Sequence, residues 1–359
     1  MVTRKVIGML SIWIIAFLVL FIGESHSAPF IESVKSSFVH KETIIMIKGS
    51  GFGVKKPAAP LIWDNFDSGS PSSKWSEISD GISIHSGSGQ LKNSQHCLRF
   101  DKSTGSAFNI KKTITLTDKL YAFVKRRYDY DLKPDNHKFF RIWQPDWKNS
   151  ILWNYNWGSA YQMRNSQCSP QINPEQTEPN YVIKLGAENF PPVGQWQTEE
   201  FFVRIESEIG QYDGVMGYRL NNIQHRSWAD NRAMFCADHN KPLTYVFVDN
   251  YSDHLKHNPK PGDFIWVDDV YMDTSWARVL IGNDPYYDAC TNIEIQIPSQ
   301  WSDSSITIAV NRGSLAPCKT YYLYVFNADG NVNAEGFPVY LVTSSGEKPC
   351  PPRGLTIIK

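Results

Sequence analysis

Residues 137–144 and 150–157 alternate in a strand-like way, and Asp146-Trp147-Lys148-Asn149 sits between them with the composition of a turn. With those four residues as the loop, Pro145 falls opposite Ser150, Trp143 opposite Leu152, Arg141 opposite Asn154 and Phe139 opposite Asn156. Residues opposite each other share a face. One face then carries Lys138, Phe140, Ile142, Gln144, Ile151, Trp153, Tyr155 and Trp157, a mostly apolar set that reads as core. The other carries His137, Phe139, Arg141, Trp143, Leu152, Asn154 and Asn156. On a concave sheet such a mixture suits sugar: an aromatic ring packs on the apolar face of a pyranose, while Asn and Arg satisfy hydroxyls or a carboxylate. The expected carbohydrate-binding set is therefore His137, Phe139, Arg141, Trp143, Asn154 and Asn156. An ordinary solvated outer face is the competing reading, and a one-residue slip would exchange the two faces.

The same residues define an enzymatic alternative. A polysaccharide lyase needs a cation or amide to neutralise a uronate carboxylate, and a His or Tyr to take the α-proton. Arg141, Asn154 and His137 offer those groups, with Tyr128 or Tyr161 as the acid. Glycoside hydrolysis instead needs two carboxylates flanking the bond. Glu199-Glu200 and Glu206-Ser207-Glu208 do not give the Glu-x-Asp-x-(x)-Glu spacing along a strand, which argues against a glucanase. No Gly-rich phosphate loop, Gly-x-Ser-x-Gly elbow or His-Glu-x-x-His is present, and His254-Leu255-Lys256-His257 reads as loop. Asp64, Asp67, Asp268, Asp269 and Asp273 lie near two distant chain positions that a closed sandwich would join, where their oxygens could bind one calcium. Turns and strand ends account for acidic residues equally well.

These candidates need a scaffold of strands. Short β-branched and aromatic runs alternate with Gly, Asn, Asp and Pro, and after residue 27 no long run has helical periodicity. Examples are residues 43–47, 201–205, 245–248 and 305–310. The chain starts differently. Arg4 and Lys5 precede a 17-residue apolar run, 6–22, and Ser25 and Ser27 fit the small positions before a cut ahead of Ala28. This reads as a cleaved secretion signal, with a retained anchor as the alternative and no other candidate membrane span. Lys+Arg and Asp+Glu balance at 36 each, so no global field attracts nucleic acid. Lys125-Arg126-Arg127 reads as a solvated strand edge. Six cysteines in an exported chain make disulfides expected; proximity favours Cys290 with Cys318 and Cys168 with Cys236, leaving Cys97 and Cys350 without an obvious partner.

Residues 29–34 followed by Thr43-Ile44-Ile45-Met46-Ile47-Lys48-Gly49-Ser50-Gly51-Phe52-Gly53 resemble the opening of an IPT/TIG domain, an immunoglobulin-like sandwich. The glycines permit a positive φ where the strand ends, and Phe52 can plug the end of a core. The later strands of that module resemble residues 277–282, 293–298, 305–310 and 321–326. Residues 29–57 and 276–344 hold 29 and 69 residues, close in total to the roughly 100 of an immunoglobulin-like sandwich. Between them, Gly194-Gln195-Trp196, residues 200–205, Asp213-Gly214, residues 218–223 and Val267-Asp268-Asp269-Val270 follow an order similar to the concanavalin A-like lectin/glucanase group. That resemblance implies a jelly roll but no particular activity.

The expectation is an all-β protein with a jelly-roll sandwich inserted into a discontinuous immunoglobulin-like sandwich. The boundaries are 1–27 signal, 28–57 first part of the IPT/TIG-like domain, 58–275 jelly roll, 276–344 second part and 345–359 tail. The expected function is non-catalytic recognition of a polysaccharide or glycoconjugate by a secreted, periplasmic or cell-surface protein. It requires no cofactor, leaves calcium as the one candidate metal, and involves neither nucleic acid nor a membrane span once the signal is removed. A lyase acting by β-elimination and a structural surface module are the alternatives.

Overall fold

In the strand Lys119–Tyr128, Leu120, Ala122 and Val124 face one way and Tyr121, Phe123 and Lys125 the other, and both sides are buried. Period-two alternation of this kind, apolar on both faces, marks a strand at the centre of a layered β-structure. A computed structural model describes residues 27–35, 38–87, 90–101, 107–132, 136–145, 150–156, 159–166, 180–184, 190–208, 213–227, 242–252, 260–343 and 350. The expected signal, the Asp146–Asn149 turn, Trp157, Cys168, Cys236 and the His254–His257 stretch lie outside the described residues.

Among the described residues the strands form four sheets. A four-stranded sheet runs Phe30–Lys35, Ile44–Ser50, Ser305–Ala309, Ile297–Ser302, so strands from opposite ends of the chain pair directly, Ile47 with Ile306 and Ile45 with Ile308. It faces a five-stranded sheet in the order Phe38–Val39, Phe337–Leu341, Lys319–Phe326, Arg278–Gly282, Ile293–Ile295. Between them lies one core that includes Ile45, Ile47, Val279, Ile281, Ile306, Leu323 and Val325. Phe52 closes one end of it between Gly51 and Gly53, both at positive φ. Their left-handed backbone would strain any other residue.

The intervening chain makes the larger sandwich. Its seven-stranded sheet is ordered Asn180–Lys184, Ser159–Ser166, Ser150–Asn156, Asn136–Trp143, Tyr245–Ser252, Ala107–Thr113, Glu77–Ile78. The opposing sheet is ordered Ile223–Ser227, Val215–Leu220, Trp196–Arg204, Lys119–Tyr128, Phe264–Asp273, Cys97–Asp101, Ile82–His85, with Ile62–Asp64 added beside Phe264–Asp273. The protein is thus all-β, as the strand patterning led us to expect, with a jelly-roll sandwich inserted into a discontinuous immunoglobulin-like sandwich, the arrangement the family resemblances implied.

The outer face of the jelly roll's eight-stranded sheet packs on the five-stranded sheet of the other sandwich. Tyr121, Phe123 and Tyr271 from one side meet Leu280, Tyr287, Ile293, Ile295, Tyr324 and Phe326 from the other. Ion pairs cross the same seam, Lys125 Nζ to Glu294 Oε1 at 2.9 Å and Lys55 Nζ to Asp273 Oδ2 at 2.5 Å, all four residues buried. Buried charges persist only when paired and hydrogen-bonded. Lys125 and Arg126 are therefore not on a solvated edge, as their sequence suggested. They sit on a central strand, one facing the seam and the other the jelly-roll core.

The expected Cys290–Cys318 bridge does not form. Cys318 is joined to Cys350. Cys290 is a buried thiol in the seam, its Sγ 3.6 Å from the Tyr324 hydroxyl and pressed against Gly282. Cys318 instead sits at the start of Lys319–Phe326, where its N–H donates to the Leu341 carbonyl at 2.7 Å. Closeness in sequence did not translate into closeness of the two sulfurs.

Candidate functional site

One jelly-roll sheet is covered by the second sandwich, whereas on the outer face of the seven-stranded sheet Lys111, Arg141, Trp143 and Tyr245 are partly exposed around the buried Phe247, Leu152 and Ser150. The composition of this outer face follows from cross-strand register. Phe247 pairs with Arg141 on one side and Lys111 on the other, Lys111 with Glu77, and Arg141 with Leu152. The adjacent row runs Thr113, Tyr245, Trp143, Ser150. At about 4.8 Å per strand, the first row spans roughly 20 Å across five strands.

The side chains in these rows touch. The Arg141 guanidinium lies 3.4 Å from the centroid of the Trp143 ring, and Trp143 meets Phe247 edge-on at 5.8 Å. Lys111 Nζ is 5.4 Å from the Tyr245 ring centroid and forms an ion pair with Glu77. Arg141 Nε and Nη2 donate to Ser150 Oγ at 3.2 and 3.1 Å, which fixes the plane of the guanidinium. Burial pushes the Arg141 pKa down to about 9, which still leaves it a cation at neutral pH. A half-desolvated guanidinium stacked on an indole has lost part of its hydration, and an incoming carboxylate can replace it.

The hairpin register differs from the expected one. Trp143 pairs with Ser150, Arg141 with Leu152 and Phe140 with Trp153, two residues from the sequence reading, so the faces of Arg141, Trp143 and Leu152 are unchanged. A β-bulge between Lys138 and Phe140 then shifts the register, so Lys138 pairs with Asn154 and Asn136 with Asn156. The bulge turns both Phe139 and Phe140 inward. Phe140 stacks on Phe201 at 4.1 Å, and Phe139 packs on Phe201 and Tyr218 at 5.9 Å. His137 follows them inside, fully buried, with Nε2 3.0 Å from Asp249 Oδ2. His137 and Phe139 are thus core residues and not part of the outer face. Arg141 and Trp143 remain on it. The side chains of Asn154, Asn156 and Tyr161 lie outside the described residues; their backbones belong to the strands Ser150–Asn156 and Ser159–Ser166.

Arg126 explains why the bulge is stable. A bulge strips a residue of its ladder partner, and Phe139 and Val248 both lack one. Arg126 reaches from the opposite sheet and its Nη2 donates to both carbonyls, at 3.1 and 2.6 Å. Its Nη1 lies 2.9 Å from Glu199 Oε2 and 3.3 Å from the Tyr128 hydroxyl. Tyr128, the lyase acid of the sequence reading, is therefore buried between the sheets. Lys111, Tyr245 and Phe247 carry no local sign of belonging to this face, because only the pairing of Tyr245–Ser252 between Asn136–Trp143 and Ala107–Thr113 brings them beside Arg141.

Of the five aspartates expected to share a calcium, Asp67, Asp268 and Asp269 lie within electrostatic reach of one another, while Asp64 and Asp273 have partners of their own. Asp64 accepts from the N–H groups of Phe66 and Ser72 and from Trp75 Nε1, whereas Asp67 accepts from Lys41, Ser94, Gln95 and His96. Asp273 pairs with Lys55, Asp268 accepts from the Asp269 N–H, and Asp269 accepts from Asn311 Nδ2 at 3.1 Å. Among the described residues no group of three or more His, Cys, Asp or Glu is arranged to hold a metal ion.

No family model matches the chain, and no curated protein does. Among solved structures, an endo-β-1,4-glucuronan lyase from the fungus Trichoderma reesei is 11% identical with a TM-score of 0.43, over 61% of this chain and 97% of that one. The binding domain of botulinum neurotoxin serotype D is 7% identical with a TM-score of 0.39, over 75% and 72%. The Emp47p carbohydrate recognition domain is 10% identical with a TM-score of 0.33, over 55% and 90%.

Proposed function

We propose that this protein binds a polysaccharide or glycoconjugate without cleaving it, on the outer face of the seven-stranded sheet. The observation that carries this reading is the Arg141–Trp143 pair, stacked at 3.4 Å beside Phe247, Tyr245 and Lys111. Aromatic faces take the apolar side of a pyranose, and the two cations suit a uronate or other acidic substituent. The lyase alternative loses support because His137 and Tyr128, two of its proton-transfer candidates, are buried in the core.

The wider assignment belongs to the same reading. Residues 28–57 and 276–344 act as one IPT/TIG-like support for the 58–275 jelly roll, and the protein works outside the cytoplasm. The Cys318–Cys350 disulfide supports an oxidising compartment. Among the described residues no helix is long and apolar enough to cross a membrane.

The test is incubation with a panel of acidic and neutral polysaccharides, following both retention and the ultraviolet absorbance of an unsaturated product. Retention of an acidic polymer without product is the expected result. Product formation would replace the binding reading with the lyase one, and the absence of both would remove the glycan reading for that panel.

A further inference from the structure

The seam between the two sandwiches is packed at its centre but open along one edge, where two cavities share Arg219 as a wall. One, of about 170 Å³, lies between Phe202 and Gly217 of the jelly roll and Trp276, Phe326 and Asp329 of the linker and second sandwich. The other, of about 410 Å³, lies between Asn221 and Asn222 on one side and Asp288, Ala289 and Thr291 on the other. The larger falls within the roughly 300–1,000 Å³ of small-molecule sites.

The groove is built from fixed parts. Asn221 and Asn222 both have positive φ, 49° and 64°, and form the two-residue turn joining Val215–Leu220 to Ile223–Ser227. Asn222 Nδ2 donates to the carbonyls of Tyr287 and Cys290 at 2.6 and 3.1 Å, tying that turn to the other sandwich. Its Oδ1 accepts from Arg219 Nη1 at 3.1 Å, and the Arg219 guanidinium lies 4.9 Å from the Tyr287 ring centroid. Trp276 is anchored by its indole N–H, shared between the carbonyls of Leu120 and Val203 at 3.2 and 3.1 Å. At Gly217 a Cβ would come within 3.2 Å of Phe202, so glycine keeps this wall clear. Groups held in place before binding lose little entropy when a ligand arrives.

The charges of the groove are balanced. Arg219 has Asp288 at 3.7 Å, Arg278 has Glu200 at 3.7 Å, and Lys119 has Asp329 at 3.8 Å. Each of these three cations thus has a carboxylate partner within 4 Å. The groove offers the rings of Phe202 and Trp276, the fixed Arg219 guanidinium and the exposed carboxylates of Asp288 and Asp329, a mixture that satisfies neutral hydroxyls. We infer that the interdomain groove is a second saccharide site, which takes a short neutral oligosaccharide and acts independently of the sheet face.

The test is calorimetric titration of the secreted chain with cellohexaose, xylohexaose, laminarihexaose and maltohexaose at millimolar concentration, with intrinsic tryptophan fluorescence as a second readout. At least one hexaose should bind. Ala289→Trp, an exposed position that would fill the larger cavity, should weaken it roughly tenfold or more without moving the thermal midpoint. Arg219→Gln should also weaken binding roughly tenfold, the loss of a hydrogen bond to a charged group. The inference is overturned if no hexaose binds, if Ala289→Trp binds as the wild type does, or if a polyuronate displaces the hexaose. Failure of the sheet-face reading would show instead as loss of polyuronate retention with hexaose binding intact.

Discussion

The Lys125 ammonium, on the jelly roll's central strand, lies 2.9 Å from the Glu294 carboxylate of the second sandwich, and both side chains are buried. Lys125 also donates to Thr198 Oγ1 and to the Ile293 carbonyl, at 2.7 and 3.0 Å. Breaking a buried pair from one side leaves an uncompensated charge, at a cost of about 3–5 kcal/mol. Lys125→Met should therefore destabilise both sandwiches together, as one lower urea midpoint. The double substitution Lys125→Met with Glu294→Leu should recover a large part of that loss. Two separate transitions in either protein would mean that the seam does not couple them.

Arg141→Ala and Trp143→Ala should each weaken binding to an acidic polysaccharide roughly tenfold or more, since each removes a charged or aromatic contact at the centre of the site. Both are half-buried on an outer face, so thermal stability should change little. Affinity electrophoresis in polyuronate gels measures the first effect and a melting scan the second. Unchanged retention in both variants would move the site off this face.

Arg126 should matter to stability and, through the bulge, to binding. Arg126→Met leaves Glu199 buried without its cation and the Phe139 and Val248 carbonyls without their donor, a loss of about 3–5 kcal/mol. Phe139→Ala, which opens space in the core, should cost a similar 3–5 kcal/mol. Denaturant titration gives both values, and Arg126→Met within 1 kcal/mol of wild type, roughly the range of surface changes, would contradict the bridging role.

Stability should fall as pH rises from about 4 to about 7 and then level off. Asp269 is pushed up to about 7 by burial and by the Glu294 charge. Glu199 is pushed up to about 7 by burial, against the pull of Arg126. Both hold protons in the fold that the unfolded chain releases above pH of about 4. A raised folded pKa gives stabilisation that is complete below the unfolded value and lost as pH climbs through the folded one. Thermal midpoints across pH 4–9 test this, and Asp269→Asn should flatten the slope.

The Cys318–Cys350 bridge closes a separation of 32 residues, for which the chain-entropy estimate is about 3–4 kcal/mol. Cys350→Ser should lower the melting temperature of the single transition. Equal midpoints in oxidised and reduced wild-type protein would argue against the bridge.

Strand content was legible in the sequence because it rests on local information, whereas the nesting was expected only from a family resemblance and depends on pairs such as Ile47 with Ile306, far apart in the chain. Period-two alternation in Lys119–Tyr128 or Ser305–Ala309 is visible residue by residue, and the Gly51-Phe52-Gly53 stop needs only backbone sterics. The sequence also placed Arg141 and Trp143 on one face, since an even shift of register preserves faces. Tertiary structure decided what depends on partners distant in the chain. The bulge at Phe139 exists because Arg126, from the opposite sheet, satisfies the carbonyls it exposes, and that single extra residue sends His137 and Phe139 inside. Lys111, Tyr245 and Phe247 reach the site only through strand order. Cys318 finds Cys350 rather than the nearer Cys290 because chain separation does not report the distance between two sulfurs once the strands have paired.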